Sequence, residues 1–292
     1  MITCTNVMPV CMRMIFDNKY KEWEMGTNHL VVIDGQNDFC QKNGALSVPG
    51  GLEDMLRVTK MIEKNPEFWD DISITLDSHH QLHIANPPFW RNTKGTHPGP
   101  YTNITAEMVR QGEWFPTHPE HRRIGKAYVE QLAANGRYDL TIWPPHCLIG
   151  TVGTAVVPEL MNAVLGWEAK FAAMVNKVSK GSNLYTEHYS AVQADVPNAD
   201  LSTHLNTAFI EMVSEYDNIY VCGEASSHCL KFTVEDIANN FSDESYVSKL
   251  VLITDACSPV GMPIFAEQAE KFVRDMVARG MRTTTTRELM AA

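Results

Sequence analysis

The chain has 292 residues, 44% of them hydrophobic and 20% charged, with a formal net charge of −11. Those fractions are ordinary for a soluble globular protein, and an acidic balance without a basic run or stripe argues against a nucleic-acid surface. No basic-then-apolar leader opens the chain, and no apolar stretch approaches the roughly 20 residues of a membrane helix, so the expected location is the cytoplasm, with no membrane partner.

Residues 1–27 read as an N-terminal extension of mixed pattern. His29 to Asp34 is a short apolar, β-rich run ending in an acid, the signature of a buried parallel strand. Gly50-Gly51 precede a helical pattern through Leu52, Met55, Leu56, Val58 and Met61. Ile72 to Asp77 is a second strand, again ending in Asp. Six prolines between 87 and 119 break the next stretch into loops, so 86–142 reads as an insertion holding one helical piece, roughly Pro119 to Asn135. It has too few apolar residues for a core of its own. A weaker strand is expected over Ala172 to Val178, a helix over Leu201 to Tyr216, a strand over Asn218 to Val221 and a helix from Cys229 to Asn240. Lys249 to Asp255 is another strand, and Ile264 to Arg279 a helix stopped by Gly280. Met281 to Thr286 reads as an edge strand, since Thr favours strands.

Strands alternating with helices give an α/β fold, a parallel, Rossmann-like sheet of about six strands with helices on both faces. The expected organisation is one domain over 28–292 with the 86–142 insertion. Ligands of such sheets bind at the carboxyl ends of the strands. Asp34, Asp77 and the turn before Cys229 all fall there.

Cys229 lies in Val221-Cys222-Gly223-Glu224-Ala225-Ser226-Ser227-His228-Cys229, a strand, a small-residue turn and a helix start. A helix N-terminus favours the thiolate, which is the nucleophile. A free Cys is also often a small core residue, and this run alone leaves the two readings even. The seven cysteines (4, 11, 40, 147, 222, 229 and 257) contain no C-x-x-C pair, which suggests free thiols in a reducing compartment. Asp77-Ser78-His79-His80-Gln81-Leu82-His83 sets a carboxylate and imidazoles just past a strand, a donor mix that suits Zn²⁺, Fe²⁺ or Mn²⁺. Asp77 and His79 make two ligands; a third could come from His83 or His146. Lys180, past another strand end, could lower a thiol pKa or hold a carboxylate, whereas most lysines are solvated.

Taken in order, Val32 to Phe39, Asp77-x-His79, Trp143-Pro144-Pro145-His146-Cys147, Lys180-Gly181 and Gly223 to Cys229 resemble the isochorismatase-like cysteine hydrolases, in particular their nicotinamidase/pyrazinamidase branch. The resemblance runs from about Asn28 to Thr286. It implies a catalytic triad of Asp34, Lys180 and Cys229, with Lys180 preferred to Lys177 for its spacing to Tyr189-Ser190. It implies metal ligands Asp77, His79 and His146, with His83 as a further ligand or a supporting group. The ion would be zinc, with iron or manganese as alternatives. Phe39, Trp143 and Tyr189 would line the ring pocket. A cis peptide at Glu224–Ala225 would turn the N–H groups of Ala225 and Cys229 into an oxyanion hole. Glu224 departs from the small or apolar residue usual there.

The implied activity is hydrolysis of nicotinamide to nicotinate and ammonia through a thioester, a step of NAD salvage. The alternatives are a related hydrolase for another small amide and a catalytically silent binding protein. The expected partners are a small amide and further copies of the chain, a homo-oligomer. The insertion is expected beside the site mouth, with Trp90, Trp114 and Phe115 offering aromatic surface.

Overall fold

The computed structural model describes residues 26–291. Of the expected 1–27 extension, 1–25 lie outside the described residues. Six strands form one sheet: β1 (Asn28–Ile33), β2 (Asp71–Asp77), β3 (Asn176–Lys180), β4 (Asn218–Gly223), β5 (Leu250–Ile253) and β6 (Arg282–Thr284). Their order is β6-β5-β4-β1-β2-β3, and every neighbouring pair is parallel. β1 and β4 hold the centre. Leu30 to Ile33 are fully buried, which is why β1 is a continuous apolar run rather than an alternating one.

The main helices are α1 (Gly51–Lys64), α2 (Arg122–Asn135), α3 (Pro158–Phe171), α4 (Thr207–Ser214), α5 (Cys229–Asn239) and α6 (Pro263–Ala278). Parallel crossovers are right-handed. The chain steps one way from β1 to β2 to β3 and the other way from β4 to β5 to β6. Helices α1 and α3 therefore cover one face, where they pack together, and α5 and α6 cover the other. The direction reverses between the neighbours β1 and β4. That reversal opens a crevice at their carboxyl ends, where ligands bind in open α/β sheets.

Four boundaries differ from the sequence reading. β3 begins at Asn176, not Ala172, because Ala172 takes a left-handed conformation (φ 50°) that ends α3. Helix α3 was not anticipated, although Leu160, Ala163, Val164 and Trp167 form a buried stripe at helical spacing behind Pro158 at its start. The expected Leu201–Tyr216 helix breaks into a 3₁₀ turn (Leu201–Thr203) and α4; the Asn206 side chain accepts from the Phe209 N–H and restarts the helix there. The threonine run splits after Thr284: Thr285 and Glu288 form a capping box that opens a short helix, Thr286–Leu289.

The 86–142 segment pairs Trp90–Arg91 with Phe115–Pro116 and Asn103–Ile104 with Leu140–Thr141, and carries a short helix (Ala106–Gln111) as well as α2. Phe89, Trp90, Ile104, Leu132 and Ile142 belong to the same buried cluster as the sheet residues. Among the described residues no helix is long and apolar enough to cross a membrane.

Candidate active site

Four adjacent strands deliver the site from their carboxyl ends. Asp34 follows β1, Asp77 ends β2, Lys180 ends β3, and Cys229 follows the turn after β4. Strand register sets the first contact: Asp77 lies opposite Lys180 in the ladder. The Lys180 ammonium then reaches Asp34 Oδ2 at 2.9 Å, Asp77 Oδ1 at 3.2 Å and Cys229 Sγ at 3.6 Å. All four side chains are buried. Lys177, the rival lysine, points elsewhere on the exposed edge.

Asp34 has φ 48°, and its other oxygen is held by the Thr75 hydroxyl, which donates to Oδ1 at 2.6 Å. Burial disfavours the Lys180 charge, but Asp34, Asp77 and Cys229 together hold its pKa well above the usual range. For Cys229 the balance goes the other way. Burial pushes the thiol well above its ordinary value; Lys180 opposes this, while Asp34 and Asp77 reinforce it. Desolvation and two nearby carboxylates therefore oppose the thiolate that the helix N-terminus favours, and a base beside the sulfur is needed to take the proton.

Asp77 also receives two imidazoles. His79 Nε2 lies 2.9 Å and His146 Nε2 3.2 Å from its Oδ2. The other ring nitrogens face carbonyls: His79 Nδ1 faces Gly181 O at 2.9 Å and His146 Nδ1 faces Pro144 O at 2.8 Å. A carbonyl only accepts, so each Nδ1 carries a proton and donates it. A neutral ring then aims its Nε2 lone pair at a carboxylate oxygen, which needs a cation between them or a proton on the ring. Without an ion the proton is the outcome: burial lowers the His79 pKa, but Asp77 overrides it and raises it to about 9. Asp77 itself, which burial would raise, is held well below the carboxylate range, chiefly by His79 and Lys180. The donor atoms of Asp77, His79 and His146 lie within 4.8 Å of one another. Two imidazoles with anchored Nδ1–H groups and one carboxylate fit a divalent cation.

His83 falls in a neighbouring group with His79 and Glu187. Its Nε2 donates to Thr186 O at 3.1 Å and its Nδ1 accepts from the Ala85 N–H at 3.3 Å. Burial and then His79 lower its pKa to about 4. The structure sets it against His79, ring centroids 4.5 Å apart, rather than on Asp77.

A narrow recess beside Cys229 opens to solvent, with about 300 Å³ of atom-free space counting its open mouth, and Phe39, Trp143 and Tyr189 all line it. Trp143 Nε1 donates to the Tyr189 hydroxyl at 2.7 Å. Glu187 and His228 line it too, and sequence reasoning gave neither a role. Gln36 was also passed over. Its amide donates to Asp77 O and accepts from the Asp77 N–H, both at 2.7 Å, which locks the end of β2 against β1. Gly181, beside Lys180 in the motif, has a steric role. A Cβ there would lie 2.6 Å from Asp77 and 2.8 Å from His79, at φ 84°, so only glycine fits.

The expected cis peptide at Glu224–Ala225 is absent: all peptide bonds of the described residues are trans. Gly223 (φ 117°) and Ala225 (φ 56°) make the turn instead. The N–H groups of Gly223, Glu224 and Ser226 are spent on Ala256 O, Ile33 O and Ser258 O. Those of Ala225 and Cys229 have no hydrogen-bond partner among the described residues. The aromatics expected at the mouth are placed elsewhere. Trp90 is fully buried and donates to Ile84 O, and Phe115 stacks under Arg91 and Arg122.

No family model matches the chain. The Saccharomyces cerevisiae nicotinamidase is 27% identical over 207 residues, 70% of this chain and 78% of that one. The Mycobacterium tuberculosis nicotinamidase/pyrazinamidase is 28% identical over 211 residues, 72% and 78%. In sequence the chain is similar to these nicotinamidases over about 70% of its length. Solved structures carry the same fold. That of the yeast nicotinamidase superposes with a TM-score of 0.60 at 22% identity, covering 88% of this chain and 99% of that one. The Pyrococcus horikoshii pyrazinamidase, solved in complex with zinc, gives 0.53 at 22% identity, covering 88% and 98%.

Proposed function

We propose that this protein is a metal-dependent cysteine amidase that hydrolyses nicotinamide to nicotinate and ammonia. The observation that carries the reading is the buried contact of Lys180 with Asp34 and Cys229 beside two unspent N–H groups. Asp34 takes the thiol proton. Cys229 Sγ attacks the amide carbon, and the oxyanion is held by the N–H groups of Ala225 and Cys229. The C–N bond breaks as Asp34 returns the proton to the leaving ammonia. A water deprotonated by Asp34 then cleaves the thioester and releases the carboxylate and the thiol. Lys180 fixes Asp34 and offsets the negative charge that builds on sulfur. Phe39, Trp143 and Tyr189 hold the flat ring in the recess.

Asp77, His79 and His146 would hold the divalent ion, which we assign as zinc from the two-imidazole, one-carboxylate donor set and from the zinc-bound pyrazinamidase relative. When bound, such an ion acts as a Lewis acid and orients a ring nitrogen or a water. The cell compartment we infer is the cytoplasm, the role pyridine-nucleotide salvage and the active form a homo-oligomer. Ammonia release from nicotinamide, with benzamide and acetamide as comparators and elemental analysis of the same sample, tests the reading. Rapid turnover of nicotinamide is expected. A zinc-loaded protein that releases no ammonia from it overturns the assignment.

A further inference from the structure

A second cavity lies immediately outside the catalytic recess. It holds about 990 Å³ of atom-free space open to solvent, and Tyr189 and His228 belong to the walls of both spaces. Its outer side comes from the 86–142 segment, through Tyr101, Arg137 and Tyr138, and its inner side from α5 and α6.

The chamber has two chemical features. The first is charge. Phe232 in its floor carries a cation on each of two approaches: Arg137 Cζ lies 4.9 Å and Lys231 Nζ 4.8 Å from the ring centroid. Arg137 is tied back to buried Asp236. Lys231 makes no hydrogen bond or ion pair among the described residues; its ammonium lies over the Phe232 ring and within electrostatic reach of Glu235 one helical turn on, and it faces the chamber. The carboxylate in the lining is that of Asp139, which stands exposed at the rim. The second feature is flat apolar surface. Tyr138, Tyr189, Phe232 and Phe265 wall the chamber. Tyr101 and Ile264 at its mouth stay 43% and 55% exposed, a cost that core packing does not explain.

We propose that this chamber is a second binding site, selective for a small aromatic anion held by ring contact and by the Lys231 ammonium. Taken with the proposed reaction, on which this extension rests, the ligand class is the product's own. Hydrolysis turns a neutral aromatic amide into an aromatic carboxylate, and a cation just outside the recess distinguishes the two by one unit of charge.

The test is equilibrium dialysis of the zinc-loaded full chain against pyridine-3-carboxylate. Lys231→Gln is expected to bind one molecule per chain fewer than the wild type, and Lys231→Arg to match the wild type. Benzamide, a ring without charge, and acetate, a charge without a ring, should not compete at the Lys231-dependent site, and benzoate should. Lys231→Gln should keep kcat and KM for nicotinamide within about twofold. Equal binding counts in the wild type and Lys231→Gln overturn the proposal, as does displacement of the Lys231-dependent molecule by benzamide or acetate. The counts are read without turnover, so loss of the amidase assignment leaves them readable.

Discussion

Cys229 and Cys222 are seven residues apart and chemically opposite. Burial, Cys257 and Glu224 hold the Cys222 thiol well above its ordinary value, and no ammonium reaches it among the described residues. Cys229 is also held up, yet Lys180 and a base lie beside it. Cys229→Ala should therefore lower nicotinamide turnover by at least about 10³-fold, with the circular dichroism spectrum unchanged. Near-normal turnover in that variant would sink the covalent route. Iodoacetamide footprinting at neutral pH should label Cys229 and spare Cys222. Glu224 offers a pH test. It is fully buried, and neither carboxylate oxygen has a hydrogen-bond partner among the described residues. Burial and then Asp54 raise its pKa well above the ordinary value. The folded state thus keeps a proton that the unfolded chain loses near pH 4.5, the ordinary value. Its contribution to stability is full below that pH and is lost as pH rises toward the folded pKa. Glu224→Gln removes the titration, so its melting temperature relative to wild type should climb between pH 5 and pH 8. Parallel pH profiles for the two proteins would refute a neutral Glu224.

At the scale of elements, the site depends on how β1, β2 and β3 end. The Gln36 amide pairs with the backbone of Asp77 across those ends and also donates to Thr154 O. Gln36→Ala leaves those groups unpaired and frees Asp77 to swing. Zinc affinity is expected to fall about 10–100-fold, and His146→Ala should lose metal and activity together. Unchanged zinc affinity in Gln36→Ala, by titration against a competing chelator, would mean that the clamp does not position the ligand. This clamp also shows why part of the site was readable and part was not. Asp34, Asp77 and the Cys229 turn are visible in sequence because each directly follows an apolar strand, a local signal. Gln36 pairs with a backbone 41 residues away, and nothing near it announces that pairing. His228 and Glu187 stand next to readable residues, but their walls form only after β3 and β4 are both in place. The Glu224–Ala225 geometry was inferred from resemblance alone, and the chain makes that turn with positive φ at Gly223 and Ala225 instead.

For the whole molecule, the question is whether 86–142 is an appendage or part of the fold. The sequence reading found too few apolar residues for a separate core. The structure shows where those few go: Phe89, Trp90, Ile104 and Ile142 merge with the cluster under the sheet. Trp143 and His146 follow its outgoing end and Asp77 and His79 precede its incoming end, so the candidate metal ligands bracket it. We propose that 28–292 unfolds as one unit. Ile104 is the place to test this, because it is fully buried in the Asn103–Ile104 pairing with Leu140–Thr141, outside the six-stranded sheet. Ile104→Ala deletes buried methyl groups and should cost about 2–5 kcal/mol. In a chain of this size that corresponds to a fall of roughly 3–8 °C in melting temperature. If the segment and the sheet are one cooperative body, calorimetry will show a single transition displaced to lower temperature, with zinc affinity falling as the transition is approached. If the segment is an appendage, the variant will show an early, small transition, and the main one will stay where the wild type has it.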